Sequence, residues 1–132
     1  MPDEFETAVG NLRAIMYADL ARYLDRYMKR DETKISEILR DMIQEGSGVH
    51  AVDYNRAVDQ IPPLRAWIDE LSNAYDAIVT PATPGEAPLG LEATGNPIFC
   101  STWSYLGVPA LSLPVMEGEN GMPLGLQLIG PY

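Results

Sequence analysis

Residues 121–132 read GMPLGLQLIGPY, and within them LGLQLIG, residues 124–130, decides the fold class. Leu124, Leu126, Leu128 and Ile129 leave Gln127 as the one polar side chain, between Pro123 on one side and Gly130-Pro131 on the other. A short apolar run bounded by turn residues is the pattern of a strand covered on both faces. Such a strand needs neighbours to satisfy its backbone and layers to cover it.

Two shorter runs offer similar signals. Ala77-Ile78-Val79-Thr80 precedes Pro81, and Ala110-Leu111-Ser112-Leu113 is closed by Pro114. Strands are therefore expected near 77–80, 110–114 and 124–129. Between the first two, Ile98, Phe99, Trp103 and Leu106 predict a short helix ending at Gly107. Eight Pro and eight Gly after Thr80 exclude any long helix there.

Upstream the period changes to that of helices. Asp3 can cap a first helix reaching about Lys29, with Phe5, Val9, Leu12, Met16, Leu20, Tyr23 or Leu24, and Tyr27 at intervals of three and four. Ile35, Ile38, Leu39, Met42 and Ile43 form a second apolar face that stops at Gly46, read as a C-cap. Val58, Ile61, Leu64, Ile68, Leu71 and Tyr75 continue helical spacing. Pro62-Pro63 within that run predicts two helices or one sharp kink. The chain reads as a single partial domain over 1–132, mostly helical over 1–75 and rich in strands and loops over 76–132.

Composition excludes several function classes. The chain has 132 residues, 46% of them hydrophobic, and a net charge of −10. That supports a folded core and argues against disorder. All nine Lys and Arg lie within residues 1–65, so 66–132 carries seven acids and no base. Nothing offers the basic stripe that meets phosphates, which argues against nucleic acid and against anionic membranes. No run approaches the length of a membrane span. The acidic MPDEFETAVG start shows no signal-peptide pattern. Cys100, the single cysteine, excludes an internal disulfide and suits a reducing compartment, so the expected location is cytoplasmic.

Four ordered pieces carry a resemblance to a known family. YDAIVTPATPGEAPLG, TGNPIF, W-x-x-x-G-V-P-A-L-S-L-P and G-M-P-L-G-L-Q-L-I-G look like the C-terminal third of the amidase signature family of serine amidases. DYNRAVDQ at 53–60 fits upstream; residues 50–132 match well and the first 50 loosely. The resemblance implies an α/β fold, the C-terminal part of an α/β/α sandwich with a mixed central sheet. The three strands would be interior members, and LGLQLIG would pair with strands from sequence outside this chain. It further implies amide C–N hydrolysis by a Lys-Ser-Ser triad: one serine attacks, a second serine in a cis peptide relays the proton, and a lysine is the base.

That triad has no counterpart in these residues. Lys29 and Lys34 are the only lysines, both in solvated helical pattern, and no GGSSGG-like run supplies an oxyanion hole. Whether the chain is itself an enzyme is therefore left open. Cys100 beside Phe99 reads as a small hydrophobe rather than a nucleophile paired with His50. Ser101, Ser104 and Ser112 stand in no G-x-S-x-G elbow. Asp53, Asp59 and Asp69 read as a solvated helix face rather than a metal cage, and no metal or cofactor is called for.

Thr94, Gly95, Phe99 and Trp103 are the candidate substrate-binding residues. Phe99 and Trp103 are four apart and share a helix face, and the resemblance places this stretch beside the substrate pocket; core packing is the competing reading. The expected function is that of a C-terminal fragment of an amidase-like hydrolase, contributing sheet strands and part of the pocket and inactive alone. The alternative is a non-catalytic binding or assembly module on the same fold. Expected partners are a small-molecule amide in the whole enzyme, and either further copies of the chain or a complementing N-terminal half.

Overall fold

The computed structural model describes residues 3–132. It is an α/β fold whose residues cluster into two compact units: Gly10–Gln60, and Ile61–Tyr132 together with the N-terminal segment through Val9.

The first unit is helical. A 3-10 turn, Asp3–Thr7, leads into α1, Ala8–Asp31, which carries most of its length in this unit. Ser36 caps α2, Glu37–Ser47, by accepting from the Leu39 N–H at 3.4 Å. α3, Ala51–Asp59, follows a short loop. The predicted stripe on α1 is only partly right. Val9, Met16, Tyr23 and Tyr27 are exposed, whereas the expected Leu12, Leu20 and Leu24 are half-buried together with Ala14, Tyr17, Ala18 and Met28, and Ala21 is buried. The packed face is centred on alanines, whose small side chains leave little trace in a periodicity read from large residues. Gly46 explains why small residues are wanted. It lies inside α2, and a Cβ there would collide with the Tyr17 backbone carbonyl, so the expected C-cap is instead a crossing point of two helices. The cap is Gly48, and Ile38 lies exposed off the packed face.

The second unit begins with α4, Ile61–Leu71, which places Pro62 and Pro63 in its first turn, where their missing N–H groups cost nothing. The Pro-Pro pair thus separates two helices. Leu64 and Ile68 on α4 are buried. β1 spans Ile78–Pro81, α5 Ile98–Leu106, β2 Ala110–Glu117 and β3 Pro123–Ile129. α5 ends at Gly107 in the left-handed conformation, as its sequence predicts.

The sheet order is β1-β3-β2, and both pairings are antiparallel. LGLQLIG is therefore the central strand, and its partners come from this chain rather than from sequence outside it. Composition suits this order: β1 is only four residues long and ends at Pro81, and β2 contains Pro114, whereas β3 has its proline only at the first residue. β2 runs past Pro114 to Glu117 through a register shift between Leu113 and Met116. Proline is tolerated there because β2 is an edge within this sheet.

Register sorts the two faces. Ile78 and Ala110 flank Ile129, and Thr80 and Ser112 flank Gln127. On this face Ile129 is 1% exposed and Gln127 5%. With Leu106, Trp103, Tyr105, Val108, Ala82 and Phe5 they build the core of the unit. Phe5 packs edge-on against Trp67, centroids 5.2 Å apart, so it belongs to this core and not to a stripe on α1. Full burial of Leu106 and of Ile129 contributes about 1.5–3 kcal/mol each. Val79, Leu111 and Leu128 lie on the opposite face, where Val79 is 56% and Leu111 58% exposed.

Candidate functional site

The N-terminal turn of α5 is tied to the sheet by polar contacts. Gln127 Nε2 donates to Thr80 Oγ1 and to the Phe99 carbonyl, each at 3.2 Å, so one buried amide joins β1, β3 and α5. The Cys100 thiol donates to the Ala82 carbonyl at 3.2 Å, and the Ala82 N–H donates to Gly125 O at 2.9 Å. Asn96 Oδ1 accepts from the Ile98 N–H at 3.0 Å, turning the chain into α5. Ser101 Oγ donates back to Pro97 O at 2.9 Å. Cys100 and Ser101 are thereby occupied in holding this turn.

These ties position the loop between Pro81 and Pro97 over one end of the sheet, and an open groove of about 520 Å³ lies beneath it. Its walls include Thr83, Glu86, Thr94, Gly95, Asn96, Ser112 and Gly125. Two glycines make the shape. Gly95 has φ +99°, a conformation that side chains disfavour, and a Cβ on Gly125 would come within 2.6 Å of Ser112 Oγ and 2.9 Å of the Ala82 Cβ.

Glu86 fastens the loop to the turn between β2 and β3. Its carboxylate accepts from Asn120 Nδ2 at 2.6 Å, from the Asn120 N–H at 2.9 Å and from the Met122 N–H at 3.3 Å. The Asn120 side chain, then its backbone N–H, hold the carboxyl below its ordinary pKa; partial desolvation opposes them and the Met122 N–H adds to them. Glu86 is therefore ionised at neutral pH, with its lone pairs directed at the turn. Thr83 Oγ1 donates to Gly85 O at 2.8 Å and shapes the loop locally.

The groove brings together Thr94 and Gly95 but not the other two candidates. Trp103 is 5% exposed and lies in the core, and Phe99 is at the surface, contributing its carbonyl to Gln127. The four-residue spacing places both rings along α5, yet Phe99 in its first turn is at the surface, whereas burial begins at Ser101 and includes Trp103. Gln127, Glu86 and Asn96 are the residues that sequence reasoning passed over. A polar residue within an apolar strand is a signal for Gln127, since such a side chain must find partners when buried. Glu86 and Asn120 are 34 residues apart, and nothing local couples them. The groove presents hydroxyls, an amide and a carboxylate, and no residue of its lining places a nucleophile beside a base.

A family model described as Amidase matches residues 4–132. A glutamyl-tRNA(Gln) amidotransferase subunit from Jannaschia sp. (strain CCS1) is 39% identical over 92 residues, 64% of this chain and 19% of that protein. The 2-amino-5-chloromuconic acid deaminase of Comamonas testosteroni is 27% identical over 127 residues, 86% of this chain and 27% of that protein. A crystal structure of an amidase superposes with a TM-score of 0.85 at 28% identity, covering 97% of this chain and 32% of the other. The chain thus spans between about a fifth and a third of the length of these proteins.

Proposed function

We propose, from the premise that this chain belongs to the amidase family, that it serves amide C–N hydrolysis as a part without the nucleophile. It supplies a three-stranded sheet, the helix α5 and one wall of the substrate groove, with Thr94 and Gly95 in that wall and Phe99 and Trp103 supporting it from α5. The attacking serine, the relay serine and the lysine would come from other sequence, and the chain alone would not turn over. The observation that supports this most is the amidase match over nearly every residue of a chain whose groove holds no nucleophile beside a base.

A chimera tests it. The matching third of the amidase that superposes at TM-score 0.85 is replaced by this chain in one polypeptide, and ammonia release from hexanamide is followed. Hydrolysis by the chimera, with none by the chain alone, is the expected result. A folded chimera with no rate above background overturns the role.

The exposed Val79 and Leu111 beside Leu128 favour a second reading of the partner. That apolar sheet face calls for cover, either from a complementing half or from further copies of this chain. Sedimentation of the purified chain separates these: a monomer that binds the remainder of the amidase supports complementation, and a stable dimer supports self-association. A cytoplasmic location fits the free Cys100, and no helix among the described residues is long and apolar enough to cross a membrane.

A further inference from the structure

The unit that holds the groove is nearly devoid of positive charge. Among its described residues Arg65 is the only Lys, Arg or His. Arg65 is also committed elsewhere: Nε donates to the Leu106 carbonyl at 2.5 Å, and the guanidinium lies 3.6 Å from the centroid of the Tyr132 ring. It is not among the residues that wall the groove. From the described residues of this unit, a carboxylate or phosphate entering there would meet no cation to offset its desolvation.

The negative charge is, by contrast, fixed in place. Glu86 walls the groove and is anchored as an anion by Asn120 and Met122, so its charge does not swing away into solvent. Glu92 belongs to the same loop, and Glu117 and Glu119 flank the turn that Glu86 clasps. The remaining polar groups in the wall, on Thr83, Thr94, Asn96 and Ser112, are neutral donors and acceptors. Such a wall can orient an amide or hydroxyl and attract an ammonium group.

We infer that this groove selects by charge: it takes amides whose chain ends in an uncharged or positively charged group and rejects those ending in a carboxylate. This rests on the reading of the groove as a substrate wall. It adds the substrate class, with Glu86 as the residue that sets specificity.

The test uses the full chain and three amides of similar length at low ionic strength, where charge effects are least screened. These are 5-aminopentanamide, hexanamide and 4-carbamoylbutanoate, ending in ammonium, methyl and carboxylate. Amide shifts of Thr94, Gly95, Asn96 and Ser112 report binding. Expected is an order of ammonium, then methyl, then carboxylate, with at least about a tenfold gap in Kd between the extremes, which differ by two unit charges across a partly screened surface. Glu86→Gln should narrow that gap, and Thr94→Lys, on an exposed loop position, should reverse it. The reversal keeps the test decisive where Glu86→Gln loosens the loop. Equal affinities, a preference for the carboxylate, or no shift at these residues with any of the three overturns the inference. An active chimera alongside equal affinities removes the charge selection and leaves the proposed function standing. An inactive chimera alongside the expected order removes the proposed function and leaves a charge-selective groove.

Discussion

The two units solve the same problem, holding a modest core together, with different means. Residues 10–60 hold eight of the nine Lys and Arg, and their ion pairs are exposed: Arg13–Glu45 at 2.6 Å, Lys29–Asp25 at 2.6 Å, Lys34–Asp31 at 3.3 Å and Arg56–Asp53 at 3.2 Å. Pairs of this kind contribute little, so the helices depend on the alanine face of α1 and the close crossing at Gly46. The sheet unit has almost no cations and relies on directional hydrogen bonds that Gln127 and Cys100 donate and that Asn96 and Glu86 accept. Interchangeable surface charge keeps a helical scaffold soluble. Hydrogen bonds with one geometry are what fix a groove.

The sharpest test of that contrast is in the sheet core. Leu106→Ala empties a site with no exposure and should cost about 2–5 kcal/mol in urea unfolding. Gly46→Ala should cost about 1–3 kcal/mol by forcing α1 and α2 apart; a loss below about 0.5 kcal/mol would mean that the crossing is not tight. Gln127→Leu leaves the Phe99 carbonyl and Thr80 without their shared donor and should cost about 1–3 kcal/mol, with amide shifts along the first turn of α5. A neutral Gln127→Leu would show the sheet unit held by apolar packing alone, and the comparison would collapse.

Two smaller effects refine it. The Asn120 side-chain amide and the Met122 N–H should titrate together with a midpoint below the ordinary Glu value of about 4.3. The folded pKa is depressed, so the stabilisation from Glu86 is complete above the unfolded value and is lost as pH falls through the folded one. A midpoint at the ordinary value would mean that the clasp is absent in solution. Arg13→Gln should leave the urea-unfolding midpoint nearly unchanged, because both side chains of its ion pair with Glu45 are half or more in solvent.

Much of the second unit was legible residue by residue. The apolar runs located all three strands, the four-residue spacing located α5, and Gly107 ended it, because each signal lies within a few residues of the element it describes. The groove chosen as the candidate site includes two of the four residues singled out in the sequence. Thr94 and Gly95 stand in the groove wall, whereas the burial of Trp103 against the surface position of Phe99 depends on how α5 is rotated and covered in the fold. The helical unit was harder, since a periodicity weighted toward large residues favoured Met16, Tyr23 and Tyr27 over the alanines that pack.

The sequence by itself determined the α/β class, the order of elements and the uneven distribution of charge, all properties of composition and local pattern, and its four ordered motifs carried the resemblance to amidases. Tertiary structure alone decided that LGLQLIG is a central strand paired on both sides within this chain. It also decided that Gly46 serves a crossing and that Glu86 meets Asn120 across 34 residues. Hydrogen bonds and close approaches between distant residues depend on register and helix rotation, and a linear pattern carries neither.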